Sequence, residues 1–256
     1  MQSAATPRMR QAIGHPYNPT EQEVLVWPVR IFPSRAAARH FQALLTPDET
    51  ERAESFRFDY LRQSFVIARG VLRTVLGRYL GISPDGVQFQ YGARGKPALA
   101  GHTRLRFNAS HSGNLAVFAF SLDCELGVDI EQIRPMPEMR EIAERFFCPD
   151  EQSELCSLPA HERDSAFYRC WTRKEAFLKA LGDGLYAPLD SLRVTLRAAD
   201  PARLVHIAGD AHAAQAWTLH DLLVDPEYAA ALAYKGAPRA LTILRVQSAL
   251  DLVHHS

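Results

Sequence analysis

The chain has 256 residues, 47% of them apolar and 23% charged, with 29 basic residues against 29 acidic ones. That balance excludes a disordered tail and a polybasic nucleic-acid arm, and the length suits one large domain or two smaller ones. No apolar run approaches the roughly 20 residues of a membrane helix, and residues 1–20, with Pro7, Arg8, Arg10, Pro16 and Pro19, lack a signal-type apolar segment, so a cytoplasmic protein is expected.

Residues 2–20 read as a loose tail, followed by an alternating strand from Val24 to Ile31. Thr46-Pro47-Asp48-Glu49 is a helix start, with Thr as cap, Pro at the first position and acids in the first turn. A second helix, Tyr60 to Leu80, directs Phe65, Leu72, Val75, Leu76 and Tyr79 inward and Arg62, Arg69, Arg73 and Arg78 elsewhere, before Gly81 ends it. Short strands follow at Val87–Tyr91, Leu105–Asn108, Leu115–Ser121 and Gly127–Glu131. Helices are expected at Glu138–Phe147, Pro149–Leu158 and Glu162–Leu181, the last closed by Gly182-Asp183-Gly184. Strands at Ser191–Leu196, Trp217–Leu223, Ala229–Tyr234 and Ala240–Val246 complete the chain, with residues after Leu252 expected to fray. The class is α+β, two halves each combining helices with a small, mostly antiparallel sheet, divided as residues 1–122 and 123–256 with no detectable sequence repeat.

Charge divides with the halves: residues 1–123 carry 15 Lys and Arg against 9 Asp and Glu, the rest 14 against 20. One half suits phosphates and the other carboxylates for a metal, although two differing surfaces would give the same count. Cys124, Cys148, Cys156 and Cys170 lack CxxC spacing, so neither zinc nor disulfides are expected.

Three segments carry chemistry. In Gly127-Val128-Asp129-Ile130-Glu131, strand period puts Asp129 and Glu131 on one face and Val128 and Ile130 on the other. Two adjacent carboxylates repel unless protons or a cation lie between them; Mg²⁺ uses such oxygens together with substrate phosphates, while a solvated acidic edge is the plain alternative. In Phe167 to Leu181, Trp171, Glu175 and Lys179 share a helical stripe. Glu175 and Lys179 could be an ordinary surface pair, but a stripe with Trp171 should be largely buried, and a buried carboxylate needs a partner such as a metal. The chain has only four lysines, and three of them, Lys96, Lys174 and Lys179, lie within these segments. The third segment is Gly95-Lys96-Pro97 followed by Asn108-Ala109-Ser110-His111-Ser112-Gly113. Adjacent strand side chains diverge and no third orienting group is evident, so Ser110 and His111 are not a hydrolase pair. A phosphate clamp of His111, Lys96 and nearby arginines, or a packed histidine, remain.

Together these segments resemble the Sfp-type 4′-phosphopantetheinyl transferases. That family carries Gly-[Val/Ile]-Asp-[hydrophobic]-Glu followed by Trp-x-x-Lys-Glu-[Ala/Ser]-x-x-Lys; here Gly127 to Glu131 precede Trp171 to Lys179 after 39 intervening residues, and the Gly-Lys-Pro and Asn-x-Ser-His-Ser-Gly segments stand upstream in the same order. The resemblance runs from about Glu49 to Tyr234. It implies a pseudo-dimeric fold with coenzyme A in the cleft between halves, and transfer of its phosphopantetheine arm to a serine of an apo acyl or peptidyl carrier protein, releasing adenosine 3′,5′-bisphosphate. Carried over by motif, Asp129, Glu131 and Glu175 hold Mg²⁺, Lys179 sits beside the transferring phosphate, and Lys96, Ser110 and His111 contact the nucleotide end, His111 at the 3′-phosphate. Arg69, with Arg62 or Arg52, lies where relatives place basic residues for phosphates. Either Glu175 or a hydroxide on the metal serves as base. The acceptor is expected in trans, the enzyme as a monomer, and neither nucleic acid nor membrane as partner. A metal-dependent phosphohydrolase or a non-catalytic coenzyme A or carrier-protein binder are the rival readings.

Overall fold

The computed structural model describes residues 7–11, 18–93, 95–182 and 188–252. The first half runs β1 (Arg8–Gln11), β2 (Glu23–Arg30), α1 (Arg35–Gln42), α2 (Pro47–Glu54), α3 (Asp59–Leu80), β3 (Phe89–Tyr91), β4 (Pro97–Leu99), β5 (Leu105–Ser112) and β6 (Leu115–Leu122). The second runs β7 (Leu126–Gln132), α4 (Met139–Phe146), α5 (Pro149–Ser157), α6 (Ala160–Leu181), β8 (Leu192–Val194), β9 (Leu204–Ile207), α7 (Ala211–Gln215), β10 (Trp217–Asp221), β11 (Tyr228–Lys235) and β12 (Ala240–Arg245).

One sheet has the order β1-β12-β2-β6-β5 and another β10-β11-β7; β3 with β4 and β8 with β9 form two small ribbons. The α+β class is thus realised. Strand β12 pairs in parallel with both β1 and β2. Strand β12 returns the chain to the first half's sheet, so residues from both ends of the sequence build it.

Period-2 alternation makes four layers. Val24 and Val26 of β2 and Val117 of β6 share a core between the sheets with Val128 and Ile130 of β7 and Leu232 of β11. The other face of the first sheet, with Leu25, Trp27, Val29, Phe118 and Phe120, is covered by Ile67, Val71 and Val75 of α3. In the second half Ala231 and Ala233 of β11 pack with Phe167, Ala176 and Phe177 of α6. Each large apolar side chain fully buried this way contributes about 1.5–3 kcal/mol.

An internal repeat, undetected in the sequence, is plain in the structure. Thr46-Pro47-Asp48-Glu49 and Cys148-Pro149-Asp150-Glu151 are both capping boxes with proline in the first turn. Both acids then turn inward. Glu49 accepts from Arg73 Nε at 2.7 Å, and Glu151 pairs with Lys174 at 2.5 Å. Arg73 also donates to the carbonyls of Pro84 and Val87, Lys174 to those of Leu189 and Leu192. The side chains of Arg73 and Lys174 are 1% and 0% exposed. Arg73 therefore does not lie on the outer side of α3, and Lys174 is an internal strut.

Several segments differ from expectation. Arg8–Gln11 is not a loose tail but pairs with β12. Helix α1 was not foreseen; Ser34 caps it, its Oγ accepting from Ala37 N–H at 3.1 Å. Strand β5 extends to Ser112, because Gly113, at φ +54°, opens a two-residue turn into β6. Asp183 and Gly184, and the tail after Leu252, lie outside the described residues. Among the described residues, no helix is long and apolar enough to cross a membrane.

Candidate active site at the junction of the halves

Gly127 sets the site's geometry. A Cβ there would lie 2.1 Å from the carbonyl oxygen of Ala176, so glycine lets the α6 backbone press onto β7. Asp129 and Glu131 point to the same side as Gly127, toward α6, while Val128 and Ile130 fill the inter-sheet core. Helical spacing brings Glu175 and Lys179 to that side from α6.

Lys179 Nζ donates to Asp129 Oδ1 at 2.6 Å and to Ser110 Oγ at 3.0 Å, and Ser110 Oγ donates to the same Asp129 oxygen at 2.9 Å. Asp129 is 4% exposed. Its other oxygen, Oδ2, is buried and has no hydrogen-bond partner among the described residues. Burial pushes the Glu131 carboxyl up, and the charge of Asp129 adds to this against the Ser112 hydrogen bond and Lys179. Glu175 is pushed up by burial first and then by the charges of Asp129 and Glu131, with Lys179 opposing. The three carboxylates thus form one mutually repelling group.

Among the described residues, no ready-made cage of three metal-ligating side chains is present; the Lys179 ammonium holds Asp129. The donors nevertheless fit a hard divalent ion. They are all carboxylate oxygens, Oδ2 of Asp129 is buried without a partner, and the raised Glu131 and Glu175 register a deficit of positive charge that an ion would fill.

The predicted nucleotide residues are distributed. Alternation on β5 separates Ser110, which faces β7, from His111, which is exposed on the opposite side. Desolvation first, and then the charge of Lys179, push the His111 imidazolium down. Lys96 lies at the head of β7, donating to Glu125 at 3.2 Å and to the Leu126 carbonyl at 3.2 Å. It lines a cavity of about 500 Å³ with Arg106, Phe107, Glu125 and the end of α6. Arg69 is not brought to this group: it lies 3.6 Å from Glu49 and over the Phe89 ring. Arg62 pairs with Asp59 at the surface, and Arg52 lies over Phe65.

Trp171 is partly buried and stacks on Phe167, so its stripe is half-covered. Asn108, inside a glycosylation-type triplet, is buried and accepts from Val128 N–H at 2.8 Å. Ser112, Arg106 and Glu125 were missed. Ser112 carried a readable signal, since Asn108, Ser110 and Ser112 alternate along one strand.

Comparison with known proteins gives the family. The family model described as the 4′-phosphopantetheinyl transferase superfamily matches residues 125–233, and one described as 4′-phosphopantetheinyl transferase, N-terminal, matches residues 31–122. The 4′-phosphopantetheinyl transferase HetI of Nostoc sp. strain PCC 7120 is 39% identical over 217 residues, covering 84% of this chain and 88% of that protein. The 4′-phosphopantetheinyl transferase Sfp of Bacillus subtilis strain 168 is 31% identical over 163 residues, 64% of this chain and 71% of its own length. A solved holo-[acyl-carrier-protein] synthase of Thermotoga maritima aligns with a TM-score of 0.34 at 24% identity, covering 44% of this chain and 62% of that one. The chain belongs to the 4′-phosphopantetheinyl transferase superfamily. Within it, the enzyme is of the Sfp type.

Proposed function

We propose that this enzyme transfers the phosphopantetheine arm of coenzyme A to a serine of a separate apo acyl or peptidyl carrier protein, releasing adenosine 3′,5′-bisphosphate. The observation that carries this is the convergence of Asp129, Glu131, Glu175 and Lys179 at the junction of the halves, in a chain of this family. Asp129, Glu131 and Glu175 are the residues to hold Mg²⁺. Bound there, the ion supplies charge neutralisation for a pyrophosphate.

The remaining roles fall to the chain's own groups. Glu175, on the same helical stripe as Lys179, is the side chain placed to accept the proton of the carrier serine. Lys179, released from Asp129, donates to the leaving oxygen. Lys96 and the cavity beside it receive the nucleotide end, Ser110 lies toward the phosphates, and His111 meets the 3′-phosphate, whose charge opposes that of Lys179. The reaction is assigned to the cytoplasm and the enzyme to a monomer, because its paired halves already enclose the junction.

Intact-mass spectrometry of an apo carrier incubated with the enzyme, coenzyme A and Mg²⁺, with EDTA and no-enzyme controls, tests this reading. A metal-dependent gain of one phosphopantetheine mass supports it. Coenzyme A consumed with the carrier unchanged would replace it with a phosphohydrolase; both unchanged across several carriers would leave a binder.

A further inference from the structure

Strands β5 and β7 lie alongside each other across the junction, and side chains of β5 make the links. Asn108, Ser110 and Ser112 occupy alternate positions and so reach toward β7 together. Asn108 holds the Val128 N–H, Ser110 holds Asp129, and Ser112 donates to Glu131 Oε2 at 2.7 Å while accepting the Gln132 N–H at 3.1 Å. The first rung ends on backbone. The other two end on carboxylates assigned to the cation.

We propose that Ser112 is a positioning residue for the divalent-cation site, fixing the Glu131 carboxylate from the opposite half of the molecule. This rests on the cation reading given above. Glutamate has three side-chain torsions, and repulsion from Asp129 drives its carboxylate away from the group. A hydroxyl-to-carboxylate hydrogen bond of 2.7 Å counters that drift. The two carboxylates on β7 share one feature: a β5 serine donates to one oxygen of each, and the other oxygen of Asp129, Oδ2, is buried without a hydrogen bond among the described residues. Lys179 does not replace Ser112, because its hydrogen bonds go to Asp129 and Ser110. Ser112 can be changed without touching Lys179, which makes it the clean place to test the seam.

The test titrates Mg²⁺, and separately Mn²⁺, into EDTA-stripped and desalted full-length enzyme by calorimetry, without coenzyme A or carrier. Wild type, Ser112→Ala and Ser112→Thr are compared, with thermal melting in EDTA to read any purely structural cost. Loss of a hydrogen bond that orients a metal ligand weakens binding by about 10-fold or more. That weakening is expected for Ser112→Ala, with Ser112→Thr near wild type because it keeps the hydroxyl. Excess Mg²⁺ should also restore transfer by Ser112→Ala. Equal affinity in Ser112→Ala and wild type overturns the positioning role alone, as does a Thr variant as weak as the Ala one. Wild-type enzyme that binds neither ion overturns the cation reading and this role with it.

Discussion

Apart from the short helix α7, which the second half adds before its hairpin, the two halves run through the same succession of elements, yet only one carries the carboxylates. Each has a strand, two short helices, a 22-residue helix, a small ribbon and a hairpin whose second strand pairs with the first. The spacing that sets Glu49 against Glu151 sets Leu25, Trp27 and Val29 against Gly127, Asp129 and Glu131. The helix ends likewise set Thr74 and Arg78 against Glu175 and Lys179. Where the second half places acids under its long helix, the first places apolar core, with Trp27 Nε1 donating to Tyr79 at 2.7 Å. Shared struts hold the scaffold, while the strand face under the helix decides whether a copy packs apolar core or presents carboxylates.

The largest expected effects would break what the halves share. Lys174→Met strands Glu151 in the interior and should cost about 3–5 kcal/mol in denaturant melting; Arg73→Met should cost less, because Arg69 still lies 3.6 Å from Glu49. Pairing Lys174→Met with Glu151→Leu should recover part of that cost by removing the stranded charge, but not all of it, because the Cys148 and Val194 N–H groups then lose their acceptor; no recovery at all would show that the stranded charge is not the main loss.

What separates the halves comes next. Asp129→Asn and Glu175→Gln should lower carrier modification at least ~100-fold while leaving the melting transition in place. Near-normal turnover in either would remove that residue from the site. Gly127→Ala forces α6 off β7 and should cost about 1–3 kcal/mol with loss of activity, an effect with no counterpart at Leu25, where the first half already accommodates a side chain.

Smaller effects sharpen the comparison at its edges. His111→Ala should raise KM for coenzyme A about 10-fold and leave KM for 3′-dephospho-coenzyme A nearly unchanged; equal changes would take His111 off the 3′-phosphate. His220 bonds Tyr234 at 2.9 Å, and burial pushes its imidazolium down against the charge of Asp221. The unfolded chain then takes up the proton first, so stability is full above the ordinary histidine pKa of about 6.5 and falls as pH drops through it. In His220→Gln, acid melting should lose that component; an unchanged pH profile would assign the acid sensitivity elsewhere.

Much of the site was legible in local pattern. Strand period put Asp129 and Glu131 on one face, and helix period put Glu175 in line with Lys179, because both depend only on backbone geometry. The repeat escaped notice since it rests on two four-residue boxes and on Arg73 standing where Lys174 does, residues whose likeness shows only through what they bond. Arg73 was misplaced for a related reason: charge predicts exposure until a buried acid and two carbonyls satisfy it.

The sequence by itself determined the α+β class, the main strands and the two 22-residue helices, and it singled out the acidic and basic residues expected to bind a cation and phosphate. Tertiary structure decided which of them meet. It set β5 alongside β7 so that Ser110 and Ser112 reach Asp129 and Glu131, turned His111 to the other face, and drew Arg69 to Glu49 and Phe89. These pairings join residues far apart in the chain, and long-range packing selects among charges that local periodicity treats alike.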